Sequence, residues 1–554
     1  MIKHRFIALS LASIVFFTGI GLSALPVNAA KADFDIVIRR GKIIDGTGNP
    51  WFYGDVGIRG GKIVEIGDLS RRPASEEIDA KGLMVAPGFI DVHTHVDRGI
   101  FGLPFAANFI RDGVTTIVTG NCGSSVKDVG RYLQRLEDTG GALNIATLVG
   151  HNTALRAVKG DAGTALTPEQ WAQCKTFLRK AMSGGAVGMS TGLEYSPGKF
   201  SSTEEIIELQ KVVAELGGIY TSHMRNEDVT ILPAIEEALR IGREAGCRVE
   251  ISHFKIGDGC LEDGIEQPLA MVLEARRQGL EVWVDVYPYT ASSTGISLLL
   301  PNWVFEQGSE KAREILSDPQ RLKKVFADMK AYHEGQRHRT SFGYAVIASS
   351  RAYPQFAGKS IQEAAQILKA GRLDEASSLD PATLPEVSME DQYRTIVDIH
   401  LKGGASCVYH SMKESDVTKI LQSPIASVCN DSGVRKPGRS RPHPRGYGSR
   451  ARVLGRYVRQ QGALSVEQAV HKMTFLPATA FRFKDRGILR EGAWADITIF
   501  DPGRVIDRAT FADPHQYSEG INFVLVNGEI VLEEGRFTGR LPGNPIYGPA
   551  WQER

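Results

Sequence analysis

Apolar and polar residues alternate with a period of two near both ends of the chain. Residues 34–67, FDIVIRRGKIIDGTGNPWFYGDVGIRGGKIVEIG, form short alternating runs separated by Gly-Thr-Gly and Gly-Gly turns, which indicates an antiparallel sheet. The segments GILREGAWADITIFDP and INFVLVNGEIVLEEGRFTG near the other end follow the same pattern. The sequence therefore predicts that residues 30–85 and 485–554 pair into one β-sandwich domain.

Between these two ends, helical patterns alternate with short apolar runs. TPEQWAQCKTFLRKAMSGG predicts a helix with Thr167 as its N-cap and Gln170 completing a capping box, and SSTEEIIELQKVVAELGG repeats this design with Ser202 and Glu205. The runs that follow the helices, among them AVGMS, GIYTSH, RVEISH and EVWVDVY, are typical of buried strands. Repeated strand-helix units favour an α/β fold with a parallel sheet and, over this length, a (β/α)8 barrel.

The strand-helix rhythm divides the middle of the chain into three parts. Barrel strands 1–7 are expected in residues 86–300, and the end of the barrel with strand 8 in residues 401–484. Residues 301–400 break the rhythm, with a charged helical stretch followed by a loop and another helix. We interpret them as a small inserted domain over the barrel mouth that acts as a lid to exclude water. The histidines of this segment, His333, His338 and His400, are predicted to be solvated rather than metal ligands.

The N-terminus has the pattern of an export signal. A basic start is followed by an apolar run, and Val27-Asn28-Ala29 offers small residues before a cleavage point. Residues 1–29 are thus predicted to be a signal peptide, with an uncleaved anchor as the alternative. The mature protein is expected to be periplasmic or secreted, with no stable membrane association.

Composition and charge narrow the class of partner. The 554 residues are 42% hydrophobic and 23% charged, which is typical of a globular protein with more than one domain. A formal net charge of +1 provides no long-range field that would gather nucleic acid or an anionic membrane. The expected partner is a small-molecule substrate, and the oligomeric state is left open.

Polar residues recur at the predicted strand ends. Six of them follow one another at intervals of one or two strand-helix units: His93, Cys122, His151, His223, His253 and Tyr287. The strand ends of such a barrel share one face, and His93 and His95 point to the same side of their strand. Imidazole and thiolate are ligands suited to zinc, whereas a single buried histidine is more often a hydrogen-bonded core residue. The number of such residues in phase with the strands favours a metal site.

An ordered series of motifs resembles the D-aminoacylase (N-acyl-D-amino-acid deacylase) family of the amidohydrolase superfamily. The motifs are APGFIDVHTHVD, GNCGSS, LVGHNTALR, GLEYSPG, SHMRNE, EISHFK, DVYPYTASSTG, NDSG and HPRGYGS, and they extend over nearly all of the mature chain. The resemblance implies a zinc-dependent hydrolase of linear amides. It also implies a distorted TIM-like barrel, a flanking β-sandwich and an insertion after strand seven.

The resemblance also implies a metal-ligand set. Cys122, His223 and His253 would hold one zinc ion tightly, and His93 and His95 would form a second, weaker position. A disulfide is the alternative for Cys122. The resemblance makes Asp431 the general base and acid, which takes a proton from a zinc-activated water and returns it to the leaving amine. The alternative for this residue is a turn aspartate in Asp-Ser-Gly.

The amino-acid carboxylate of such a substrate needs cations or hydroxyl donors. The candidates are Lys255, Tyr287, Ser292, Ser293 and Arg445, with a surface cation as the alternative for Lys255 and Arg445. TASSTGISLLLPNW lacks Lys and Arg, which favours a substrate with a neutral or apolar side chain. The expected reaction releases a carboxylate and a free D-amino acid. A dipeptidase, a hydrolase of cyclic amides and a non-catalytic scaffold remain as alternatives.

Overall fold

The computed structural model describes residues 32–257, 259–376 and 378–552. The signal peptide predicted for residues 1–29 lies outside the described residues. Within the described ranges, no helix combines the length and the apolar character needed to cross a membrane.

Eight short parallel strands form a closed barrel at the centre of the molecule. In chain order they are Phe89–Asp91, Val114–Thr119, Asn144–Thr147 continued by Val149–Gly150, Gly188–Gly192, Ile219–His223, Val249–Ile251, Val282–Val286 and Ala426–Val428. Each strand pairs with the next. The barrel closes where Thr94 forms a parallel bridge with Ser432 and the Asp431 amide donates to the carbonyl of His93 at 3.0 Å. The predicted (β/α)8 fold class is confirmed.

Helices cover the outside of this barrel. They are Ala107–Ile110, Val129–Thr139, His151–Lys159, Pro168–Ser183, Thr203–Ala214, Ile231–Ala245, Glu266–Arg277, Glu414–Gln422, Arg445–Arg452, Val466–Met473 and Phe475–Phe481, with a π-helix at Val453–Gln460. Thr167 and Gln170 form the predicted capping box. The second predicted box was half wrong: Ser202 caps its helix, but the Glu205 carboxylate accepts from the hydroxyl of Ser201 at 3.0 Å instead of reaching back to the cap.

The two ends of the chain meet in one nine-stranded sheet. Its strands are Phe34–Ile43, Phe52–Arg59, Lys62–Gly67, Ala74–Asp79, Met84–Pro87, Ile497–Phe500, Ile521–Val526, Glu529–Glu533 and Arg536–Phe537. The halves join where Met84–Pro87 pairs antiparallel with Ile497–Phe500. Ile38, Val56, Ile497 and Leu525 belong to a separate apolar core that this sheet encloses. The predicted flanking β domain is therefore built from both ends.

The last described residues form a strap across the barrel. The amide of Ile145 donates to the carbonyl of Asn544, and the amide of Ile546 donates back to Ile145, at 3.0 and 2.8 Å. The amide of Gly548 donates to the carbonyl of Gly185 at 2.9 Å. The strap thus binds the strands near their amino ends, opposite the face that carries the strand-end motifs.

The segment between strands seven and eight has a core of its own. Its helices are Ser309–Ser317, Pro319–Lys330, Ile361–Ala370 and Met389–Leu401, with a π-helix at Ala331–Gln336. They pack on a sheet of Ser292–Gly295, Ala345–Ser350 and Ala405–Tyr409. The edge strand Ser292–Gly295 and the central strand Ala405–Tyr409 extend this unit beyond residues 301–400 on both sides. We call residues 292–409 the inserted unit.

Candidate active site

Three of the predicted site residues have a left-handed backbone directly after a barrel strand. Cys122, His253 and Asp431 have φ angles of 52°, 36° and 43°. This region is unfavourable for residues other than glycine and persists only where the surroundings enforce it. The His253 amide donates to the Asp285 carboxylate at 2.7 Å, and the carbonyl of His93 fixes the amide of Asp431. The turns therefore aim three side chains into the barrel mouth.

A cluster of thiol and imidazole donors lies at the centre of this mouth. The Cys122 sulfur lies 3.3 Å from His93 Nε2 and 3.6 Å from His253 Nε2, and His223 Nδ1 lies 2.8 Å from His253 Nε2. All four side chains are buried. Soft sulfur together with imidazole is a donor set that suits zinc. Cys122 forms no disulfide.

A second group of donors adjoins the first. Asp431 Oδ1 lies 3.1 Å from His95 Nε2 and 3.6 Å from His93 Nε2. His95 is the exposed member, with 35% of its side chain accessible, whereas His93 is fully buried. The structure thus brings together all five predicted ligands and Asp431.

Three carboxylates behind the histidines were not identified from the sequence. Asp285 Oδ2 lies 3.3 Å from His93 Nδ1, Glu194 Oε2 lies 3.0 Å from His223 Nε2, and Glu227 Oε1 lies 2.9 Å from His253 Nδ1. Each histidine is therefore oriented by its own carboxylate. All three acids lie within the motifs quoted above, and Asp285 interrupts the apolar run VWVDV. An acid in a fully buried strand was the signal that could have revealed it.

The charges of the cluster stabilise the thiolate. Burial raises the pKa of the Cys122 thiol, but the neighbouring His93, His223 and His253 outweigh it and hold the pKa well below its usual range. Burial lowers the pKa of His95, while the hydrogen bond to Asp431 and the Cys122 thiolate raise it, to about 9. The pKa values of His93 and His223 are raised as well, so in protein without a bound metal protons on His93, His95 and His223 compensate the negative charges.

Asp431 is held as a carboxylate by a buried arginine. Arg445 Nη2 lies 2.8 Å from Asp431 Oδ2, and Arg445 Nε donates to the Asp431 carbonyl at 3.0 Å. Burial raises the pKa of Asp431, but Arg445 and then His93 and His95 hold it well below its usual range. The predicted alternative of a surface cation is wrong for Arg445, which is 4% exposed and lies over the ring of Tyr287 at 4.4 Å.

The other predicted substrate-binding residues line the same cavity. Lys255 Nζ lies 2.5 Å from Glu227 Oε2 and donates to the carbonyl of His253 at 3.1 Å, and 8% of the residue is exposed. It is not a surface cation either. Ser292, Ser293 and Tyr287 line the cavity beside it, and the carbonyl of Ser293 accepts from Arg445 at 3.3 Å. The cavity has a volume of about 350 Å³.

Two histidines differ from this cluster. His151 is fully buried, but neither ring nitrogen has a hydrogen-bond partner among the described residues, and burial lowers its pKa to about 4. His333 was predicted to be solvated, which is wrong. It is 4% exposed, and Nε2 contacts the carbonyl of Leu299 at 3.0 Å because the inserted unit folds over it.

Comparison with known proteins gives the same family on sequence and on structure. The family model described as "Amidohydrolase family" matches residues 76–293 and 437–532. An N-acyl-D-aspartate deacylase and a D-aminoacylase, both from Alcaligenes xylosoxydans xylosoxydans, are each 34% identical to this chain. The alignments cover 93% of this chain and 96% and 97% of the relatives.

A solved structure resembles the whole molecule. It is an N-acyl-D-glutamate deacylase from Bordetella bronchiseptica complexed with zinc and a phosphonate inhibitor that mimics the tetrahedral intermediate. It is 34% identical to this chain and superposes with a TM-score of 0.75 over 93% of this chain and 99% of its own. The two deacylases are named for different substrates, N-acyl-D-aspartate and N-acyl-D-glutamate.

Proposed function

Because this chain belongs to the amidohydrolase family, we propose that it is a zinc-dependent hydrolase that removes the acyl group from N-acyl-D-amino acids. The observation that carries this proposal is the convergence of Cys122, the histidine donors and Asp431 at the barrel mouth. Relatives at 34% identity that are named for this reaction support it. A neutral or apolar amino-acid side chain is the favoured substrate feature.

The residues divide into metal-holding and proton-carrying groups. Cys122, His223 and His253 would hold zinc tightly, and His93 with His95 would supply a weaker second position. Bound zinc supplies a Lewis acid that activates water and polarises the amide carbonyl. Asp431, ionised beside Arg445, accepts a proton from the attacking water and returns it to the departing amino nitrogen.

The substrate carboxylate needs donors that the protein does not already use fully. Lys255 is engaged by Glu227 and by the carbonyl of His253, and Arg445 Nη2 is engaged by Asp431, whereas Arg445 Nη1 has no hydrogen-bond partner among the described residues. The hydroxyls of Tyr287 and Ser292 face the same cavity, and burial raises the pKa of Tyr287 to about 12, so that it remains a donor at neutral pH. We assign the α-carboxylate to these hydroxyls together with Arg445 Nη1.

The deciding experiment measures zinc content and amide hydrolysis on the same purified mature protein. N-acetyl-D-methionine and N-acetyl-L-methionine are compared, with dipeptides and hydantoins as further substrates. About one tightly bound zinc per chain and hydrolysis of the D-form only would support the proposal. Zinc without hydrolysis of either form would leave the dipeptidase and cyclic-amide alternatives, and absence of zinc would favour a non-catalytic scaffold.

Export to the periplasm or the medium is a separate part of the proposal. The basic start, the apolar run and the small residues before residue 30 support it. Cell fractionation and N-terminal sequencing of the protein test it. A mature N-terminus near Ala30 is expected, whereas a cytoplasmic protein that retains Met1 would contradict export.

A further inference from the structure

A second cavity opens directly beside the catalytic one. It has a volume of about 290 Å³ and lies between the barrel loops and the inserted unit. The two cavities share five lining residues: Glu194, Glu227, Lys255, Ser292 and Leu298. A substrate whose amide lies at Asp431 can therefore extend one of its groups into this second cavity, which we call the side pocket.

Each cation in the wall of the side pocket is already paired with an acid, among the residues that the structure describes. Arg225 makes two bonds to Glu237, at 2.7 and 2.9 Å, and two more to backbone carbonyls. Lys255 is paired with Glu227. The third cation, Arg337, forms an ion pair with Asp228.

The Arg337–Asp228 pair connects two parts of the molecule. Asp228 follows Glu227 in the loop after barrel strand five, whereas Arg337 and Tyr332 belong to the inserted unit. The Tyr332 hydroxyl donates to Asp228 Oδ2 at 3.4 Å, and 7% of the Arg337 side chain is exposed. Gly257 leaves room for the pair, because a Cβ atom there would lie 1.9 Å from Asp228 Oδ1.

Apolar side chains form part of the rest of the wall, among them Leu298, Leu299, Leu300, Met329 and Met412. Polar groups complete it, and they include the acids Glu194 and Asp328 but no further Lys or Arg among the described residues. An acidic group entering this pocket would lose its hydration and would meet Glu227 and Asp228 while their cations are engaged. A buried carboxylate without a cation, close to other carboxylates, weakens the binding of a ligand more than the loss of an apolar contact does.

We propose that Asp228 neutralises Arg337 and thereby makes the side pocket selective for a neutral amino-acid side chain over an acidic one. This inference rests on the proposed deacylase function and specifies its substrate class. Arg337 is then a latent carboxylate-binding group, and Asp228 is the residue that determines specificity. The named substrates of the relatives, which include N-acyl-D-aspartate and N-acyl-D-glutamate, make this choice a meaningful one.

The test compares kcat/KM for N-acetyl-D-methionine and N-acetyl-D-glutamate on the zinc-loaded full-length mature protein. The wild-type protein is expected to prefer methionine. In Asp228→Asn the guanidinium of Arg337 is released, and the ratio should shift toward glutamate by about tenfold or more, mainly through KM. The double variant D228N/R337M is the matched control, because it lacks both charges and should lose this shift.

A second variant covers the case in which Asp228→Asn does not fold. Arg337→Met leaves Asp228 without its arginine partner, so kcat/KM for N-acetyl-D-glutamate should fall further relative to that for N-acetyl-D-methionine. A wild-type enzyme that prefers glutamate, or an unchanged ratio in a folded Asp228→Asn protein, would overturn the inference while leaving the deacylase function intact.

Binding separates the two proposals. If the wild-type protein hydrolyses neither compound, calorimetric binding of both to the zinc-loaded protein and to Asp228→Asn is measured. A shift in relative affinity toward N-acetyl-D-glutamate in the variant would then support the neutralisation of Arg337 by Asp228, even though the deacylase function had failed. The same relative affinity in both proteins would refute it.

Discussion

The left-handed turns at Cys122, His253 and Asp431 explain how short strands can deliver side chains to one point. Each such turn costs about 1–3 kcal/mol in a non-glycine residue, so the surrounding bonds must hold it. Asp285 contributes to two of the ligands, because it accepts from the His253 amide and contacts His93 Nδ1. Site geometry here depends on buried carboxylates as much as on the ligands themselves.

Replacement of Asp431 by asparagine tests the proton-carrying role. An amide cannot accept the proton, so we expect kcat to fall by roughly 10²–10⁴-fold, with zinc content retained. Steady-state kinetics and metal analysis on the same sample measure this. Asp398→Asn, which changes an acid paired with Lys402 in the inserted unit, should leave kcat unchanged. Full activity in Asp431→Asn would contradict the assigned role.

Replacement of Asp285 by asparagine tests its role as a positioning residue. The variant loses the charge behind His93 and weakens the support of the His253 backbone, so zinc affinity should fall about 10- to 100-fold. Competition with a chelator measures this affinity without any catalytic assay. Unchanged affinity in a folded variant would show that Asp285 only fills space in the strand.

The sequence identified the histidines and the cysteine that converge at the barrel mouth but not the acids that support them. Histidine and cysteine are seldom needed at strand ends for packing alone. Their regular spacing therefore indicated a shared site. Glu194 and Glu227 lie in loops, where acids are common, and their contacts depend on how the loops fold back onto the strands. The ion pairs of Lys255 and Arg445 were not predicted for the same reason. Their residue types suggested substrate binding, but their nearest partners are acids of the protein itself.

At the scale of elements, close packing between barrel strand four and the loop after strand two holds Cys122. Gly192 ends strand four, and a Cβ atom there would lie 2.2 Å from the carbonyl oxygen of Cys122. No side chain fits unless this loop moves. The element boundaries followed from apolar runs and caps, whereas such contacts between distant elements could not be predicted from local patterns.

Gly192→Ala is therefore expected to displace the Cys122 loop. Overpacking of this kind costs about 1–3 kcal/mol, and the shifted thiolate should also lower the zinc content. The melting temperature and the bound zinc per chain are the two readouts. Gly67→Ala is the matched control, because its Cβ atom would meet nothing within 4 Å. If the two variants behaved alike, the contact with Cys122 would not matter.

The inserted unit is held together by contacts that no local sequence pattern reveals. A charged helical stretch and a further helix were predicted for residues 301–400, but the strands Ser292–Gly295 and Ala405–Tyr409 lie outside that segment. They pair with each other across more than a hundred residues of chain, which no local signal reveals. His333 was misjudged for the same reason, because its burial depends on the return of the chain over it.

For the whole molecule, one buried lysine affects the pH dependence of stability. Lys472 is 4% exposed, its Nζ donates to the carbonyl of Ser423, and burial lowers its pKa from 10.5 to about 8. Between these two values the unfolded chain binds more protons than the folded one, so the free energy of unfolding rises with pH in this window. Below pH 8 the folded protein carries the cost of a buried charge.

Lys472→Met removes this cost. We expect the variant to be more stable at pH 7 by about 1–2 kcal/mol, because the gain from the absent charge exceeds the lost hydrogen bond to Ser423. The advantage should shrink as the pH rises from 8 toward 10.5. Melting temperatures at several pH values measure it, with the exposed Lys323→Met as control. A variant less stable than wild type at every pH would show that the hydrogen bond dominates.

The sheet that joins both ends of the chain sets the order in which the protein can be completed. Met84–Pro87 cannot find its partner Ile497–Phe500 until about four hundred more residues have been synthesised. At a ribosomal rate of about 5–20 residues per second, the first strands wait roughly 20–80 s with an unpaired edge. The final closure of this domain is therefore a late event in synthesis, and during that interval a chaperone or an export factor has access to the exposed strand edge.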